Sequence, residues 1–77
     1  MAKFLIINGP NINMLGQRDP SIYGTKTLDE VNREISKVAD RLGVEVKFFQ
    51  SNVEGLLVDC IQENWGKVQG IVINPGA

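Results

Sequence analysis

Seventy-seven residues, a net charge of −1, 43% apolar residues, one cysteine and no histidine already bound what this chain can be. It makes at most one small domain of marginal stability, and Cys60 alone supplies neither a disulfide framework nor an ordinary zinc site. Acids and bases are interspersed, which argues against nucleic acid, and the longest apolar run, Phe4-Leu5-Ile6-Ile7, is far too short to span a membrane.

With disulfides and metals excluded, association with other chains is the remaining stabilising device for a chain below about 80 residues. Met1-Ala2-Lys3 leads straight into the apolar run without a small-residue cleavage site, so a cytoplasmic location is expected.

The first predicted element is a strand from Lys3 to Asn8, whose continuous apolar run suits a strand covered on both faces. Asn8-Gly9-Pro10 cannot continue a central strand and ends it. A loop then runs from Leu15 to Thr27. Thr27 to Leu42 is a helix: Leu28, Val31, Ile35, Val38 and Leu42 follow the spacing of one buried face. Thr27 and Glu30 form a capping box at its start, and Gly43 supplies the left-handed stop.

Val44 to Gln50 is a second strand, with Val44, Val46 and Phe48 on one face. Ser51 and Glu54 repeat the capping-box pattern before a second helix, with an expected face of Leu57, Val58, Ile61 and Trp65 and a stop at Gly66. Cys60, beside that face and without a base in reach, reads as a small core residue, and Trp65 as packing. Gly70 to Asn74 is a third strand, stopped by Pro75-Gly76. Strands alternating with helices across short connections imply parallel pairing and right-handed crossovers. The expectation is therefore the first βαβαβ portion of an open α/β sheet, three strands and two helices, within one domain over 1–77.

In an open parallel sheet, ligands bind beyond the carboxyl ends of the strands. All three predicted strands end in carboxamides: Asn8 with Asn11, Gln50 with Asn52, and Asn74. Asparagine, proline and glycine also simply make turns, so any one of these sites has a purely structural reading. Neither G-x-G-x-x-G nor G-x-x-x-x-G-K-[ST] occurs, which removes the dinucleotide and P-loop readings. Neutral amides suit a polyhydroxylated small molecule or a developing oxyanion.

The loop of about 16–27 reads as a lid, because Gly16 and Gly24 bracket a stretch longer than the usual connection of about 2–6 residues. It carries Arg18 and the only tyrosine, Tyr23. A phenol is a poor base at neutral pH, but a nearby cation favours the phenolate, so Arg18 and Tyr23 together could form a general base. Spacing alone favours a plain surface tyrosine beside a solvated arginine.

Asn8-Gly9-Pro10-Asn11-Ile12-Asn13-Met14-Leu15-Gly16, Arg18-Asp19-Pro20, Tyr23-Gly24 and Thr27-Leu28 resemble the opening of the type II 3-dehydroquinate dehydratases. The likeness continues through Gln50-Ser51-Asn52-Val53-Glu54-Gly55 to Asn74-Pro75-Gly76-Ala77. The resemblance implies a flavodoxin-like fold, no cofactor, a homododecamer built as a tetramer of trimers, and dehydration of 3-dehydroquinate to 3-dehydroshikimate. By position it makes Tyr23 the base that removes the proton alpha to the ketone, and Arg18 the group that keeps Tyr23 ionised. Asn11 would position the water that stabilises the enolate oxygen, and Asn74 would bind substrate hydroxyls.

There are two departures. Asp19 stands where the family more often has glutamate. Family members also run to roughly twice this length, with a histidine acid, a second histidine and a carboxylate-binding arginine in their second half. A chain of this sequence is accordingly expected to be inactive alone. The alternative is a shortened, non-catalytic paralogue that binds a polyol acid or joins a longer subunit. Without further strands, the third strand would be an exposed apolar edge, so oligomerisation or precipitation is expected.

Overall fold

A computed structural model describes residues 1–16 and 24–76. Three parallel strands form one sheet in the order β2-β1-β3: β1 is Lys3–Asn8, β2 Glu45–Gln50 and β3 Gly70–Asn74. Helix α1, Leu28–Leu42, joins β1 to β2, and helix α2, Glu54–Glu63, joins β2 to β3. This is the open α/β arrangement expected from the alternation of elements, and it matches the flavodoxin-like fold that the family resemblance implies. Among the described residues, the addition is a 3-10 turn over Ile12–Met14.

Central placement explains the composition of β1. Leu5 and Ile7 are 0% and 1% exposed and pack with Cys60, Phe49, Leu57, Ile61 and Val68 beneath α2. Alternation turns Phe4 and Ile6 to the other face, where they line a groove with Ile35, Val38 and Leu42 of α1. The two helices therefore lie on opposite faces of the sheet.

Helix α1 begins as its sequence predicts. The Glu30 amide donates to the Thr27 hydroxyl, the Thr27 amide donates to the Glu30 carboxylate, and Gly43 closes the helix at φ 71°. Its apolar stripe is only partly used, because Val38 and Leu42 remain 46% and 71% exposed.

Helix α2 departs from expectation at both ends. Its N-cap is Val53, with no side-chain cap. Ser51 instead accepts from the Val53 amide at 3.0 Å, closing a local turn from a position two residues ahead of the N-cap. The buried face is also rotated from the predicted one. Leu57, Cys60, Ile61 and Asn64 line the sheet side, whereas Val58 is 44% and Trp65 82% exposed. The predicted set Leu57, Val58, Ile61 and Trp65 follows hydrophobicity. The observed set keeps a steady three-and-four step and accepts a polar member: Asn64, 5% exposed, donates to the Cys60 carbonyl at 2.8 Å. Cys60 is buried, as expected, and desolvation raises its thiol pKa above the ordinary value.

Much surface stays uncovered. The accessible area is 5395 Å², against about 4,700 Å² for a compact monomer of this mass. The radius of gyration is 13.2 Å, where about 11.5 Å is usual for this length.

Candidate functional site at the carboxyl rim

The strand register decides where the rim lies. Asn8 is paired with Gln50 on one side and with Asn74 on the other, so the last residues of all three strands stand in one row. Three carboxamides at one sheet end is what the sequence predicts, and the pairing makes them neighbours.

Behind the row, the loops lock together through backbone. The Gly9 amide donates to the Asn74 carbonyl at 2.8 Å, and the Ser51 amide donates to the Asn8 carbonyl at 3.2 Å. Gly9 packs so tightly on Pro75 that a Cβ there would run into the Pro75 carbonyl, and Gly76 meets Pro10 in the same way. Glycine is required at this contact for room. The Asn74 side chain accepts from the Gly76 amide at 3.3 Å, so it also builds its own turn.

Asn11 sits just beyond this contact, exposed at the rim and in the left-handed region at φ 71°. It is the one described non-glycine residue with positive φ. Asparagine tolerates this conformation better than most side chains. The Asn11 amide donates to Asn52 Oδ1 at 3.0 Å. Gln50 Nε2 donates to Asn52 Oδ1 at 3.1 Å and to the Gly9 carbonyl at 3.2 Å. The first two strand ends are thereby joined by side chains as well as by backbone.

The base of the predicted lid is also defined. Gly16 has φ 78° and Gly24 φ 81°. A Cβ on Gly16 would lie 2.7 Å from the Thr25 carbonyl oxygen, so the two ends of the loop are pressed together. Beside them, Lys26 pairs with Glu34 at 2.7 Å in the open, and this hydrogen bond raises the lysine pKa. Arg18 and Tyr23 lie outside the described residues, as do Asp19 and Ala77.

A cavity of about 260 Å³ lies beneath the rim, lined by Ile7, Gly9, Pro10, Glu54, Leu57, Ile61, Ile73 and Pro75. A larger one of about 520 Å³, around Lys3, Ser36, Asp40 and Lys47, opens at the opposite, amino end of the sheet. The larger hollow is therefore away from the carboxamide row. Among the described residues no group of acidic, histidine or cysteine side chains could hold a metal ion.

The family profile described as Dehydroquinase class II matches residues 2–77.

The chain belongs to this family.

A 3-dehydroquinate dehydratase of Prochlorococcus marinus is 60% identical over 75 residues, which are 97% of this chain and 50% of that protein. One from Endomicrobium trichonymphae is 56% identical over 77 residues, covering 100% of this chain and 54% of that protein. Among solved structures, the type II dehydroquinase of Butyrivibrio crossotus superposes with a TM-score of 0.93 at 44% identity, over 99% of this chain and 53% of that one. The type II dehydroquinase of Propionibacterium acnes gives 0.90 at 33% identity, over 99% and 52%. The chain thus spans about half the length of the relatives it matches.

Of the residues the sequence singled out, Asn11 and Asn74 both stand at the carboxyl rim, linked through Gly9 and Pro10. Sequence reading missed the tie from Asn52 to the Asn11 backbone. Its signal was present, since Gln50 and Asn52 are two more amides at a strand end, but a bond across 41 residues needs the fold to bring them together.

Proposed function

We propose that this chain supplies the amino-terminal part of a 3-dehydroquinate dehydratase site, built by Tyr23, Arg18, Asn11 and Asn74. The observation that carries the reading is the family match over residues 2–77, a stretch that includes the rim motifs, together with relatives named for this reaction. Tyr23, as phenolate beside the Arg18 guanidinium, takes the proton alpha to the ketone. The electron pair moves toward the carbonyl oxygen, giving an enolate. Asn11 positions the water that donates to that oxygen, and Asn74 holds substrate hydroxyls. The enolate then collapses, expelling the beta hydroxyl in an anti elimination. No cofactor enters these steps, because the ketone itself acidifies the proton and accepts the charge.

Expulsion of hydroxide needs a proton donor, and the sequence has no histidine to act as one. Loss of a general acid commonly lowers the rate about 10²–10⁴-fold. The proposal is that the acid and the carboxylate clamp come from the portion of the relatives that this chain does not match. In the assembled enzyme the unit is a tetramer of trimers in the cytoplasm.

The test is turnover of 3-dehydroquinate, followed by ultraviolet absorbance of the conjugated enone product. The chain alone is expected to show none. Mixing it with the unmatched half of the Prochlorococcus relative is expected to restore turnover, and Tyr23→Phe is expected to abolish the restored rate. Restored turnover that survives Tyr23→Phe would remove the tyrosine from the mechanism. A folded complex that binds 3-dehydroquinate without turning it over would favour the non-catalytic paralogue.

A further inference from the structure

We propose that Asn52 is a positioning residue for Asn11, and that Gln50 in turn positions Asn52. This deepens the dehydratase reading, and rests on it for the role of Asn11. The observation is a chain of hydrogen bonds in which donor and acceptor groups alternate. The Asn11 amide donates to Asn52 Oδ1 at 3.0 Å, and Gln50 Nε2 donates to the same oxygen at 3.1 Å and to the Gly9 carbonyl at 3.2 Å.

Both amide orientations follow from backbone chemistry. The Asn11 N–H can only donate, so it must meet the oxygen of Asn52. The Gly9 carbonyl can only accept, so it must meet the nitrogen of Gln50. The Gln50 amide has two hydrogens, one for each acceptor. No link in the chain faces like with like.

The consequence is mechanical. Gly9-Pro10-Asn11 is gripped at its first carbonyl and its last amide by the last residue of β2 and the loop that follows it. The grip acts on the segment where Asn11 enters the left-handed region, a conformation that most side chains avoid. The backbone position of Asn11, and hence the place from which its side chain works, is set from β2.

The experiment is nuclear magnetic resonance on the full 77-residue chain. A scalar coupling across the hydrogen bond, from the Asn11 amide nitrogen to the Asn52 side-chain carbonyl carbon, is expected in the unaltered protein. Its absence would overturn the proposal without any variant. Asn52→Leu keeps the size but removes the acceptor, and should lower the exchange protection of the Asn11 amide about tenfold while the Ile7 and Ala39 amides hold theirs. Asn52→Asp retains an acceptor oxygen and should preserve Asn11 protection to within about twofold. Gln50→Glu sets an acceptor against two acceptors and should loosen Asn11 several-fold. Unchanged Asn11 protection in Asn52→Leu, or an equal loss in Asn52→Asp, would refute the positioning role. Substrate takes no part in these readouts, so failure of the grip and failure of the dehydratase reading are separable.

Discussion

The two faces of this sheet are made by the same three strands, yet one is closed and the other open. Beneath α2, Leu5 and Ile7 are fully covered by Cys60, Leu57 and Ile61. Beneath α1, a groove of about 510 Å³ runs between Phe4, Ile6, Ile35, Val38, Leu42 and Val72. Helix α1 has the more regular apolar stripe and the better caps, but it leaves more of that stripe in water. Amphipathicity states which side of a helix prefers burial. Whether it is buried depends on how much surface stands opposite.

The edges differ in the same sense. The free edge of β2 carries exposed Glu45 and Lys47, the kind of charge that discourages pairing with another sheet. The free edge of β3 carries Ile71, Val72 and Ile73, which are 38%, 57% and 50% exposed, and no charge.

Truncating each face in turn gives the largest contrast. Leu5→Ala should cost about 2–5 kcal/mol, enough to remove cooperative unfolding from a domain of marginal stability, whereas Val38→Ala should cost less than about 1 kcal/mol because its site is half open. Equal losses in chemical denaturation would show that the α1 face is as closed as the other.

The edges come next. The chain is expected to self-associate through β3, and Val72→Lys should shift the sedimentation profile toward monomer. Substituting Lys47→Val on the opposite edge should promote association instead. An unaltered chain that sediments as a clean monomer would break the contrast between edges. Trp65, at 82% exposure beside β3, offers a fluorescence signal that should move to shorter wavelength if association covers it.

The helix starts give a smaller difference. Thr27→Ala removes a complete capping box and should cost about 1 kcal/mol. Ser51→Ala removes only a local turn and should cost about half of that or less. A larger loss at Ser51 in thermal unfolding would mean that its turn holds the rim as well as itself.

The Lys26–Glu34 pair should matter least, being open to solvent and screened by salt. Its lysine pKa is raised in the folded chain. Any stabilisation is therefore fully present below the unfolded lysine value and is lost as pH rises through the folded one. Lys26→Met should leave the melting midpoint nearly unchanged, with what difference there is vanishing at strongly alkaline pH.

Much of this protein was legible residue by residue. The bounds of β1 and β3, the capping box at Thr27, the stop at Gly43 and the burial of Cys60 could all be read from signals a few residues long, although pairing and packing across the chain realise the strands and the Cys60 site. The carboxamide row was legible too, because strand ends in a parallel sheet must share a rim. The Ser51 and Trp65 readings failed for one reason. A capping pattern and a hydrophobic stripe can each be placed in more than one phase, and local preference between phases is weak. Burying Asn64 against the sheet while leaving Trp65 in water is a choice made by packing.

By itself, the sequence determined the order of elements, their parallel pairing and the family, because periodicity, caps and contiguous motifs are properties of neighbours along the chain. Only the tertiary structure decided which helix face is buried, which sheet face stays open and that Asn52 holds Asn11. These depend on groups that are distant in sequence and come within hydrogen-bonding or packing range only when β1, β2 and β3 stand in register.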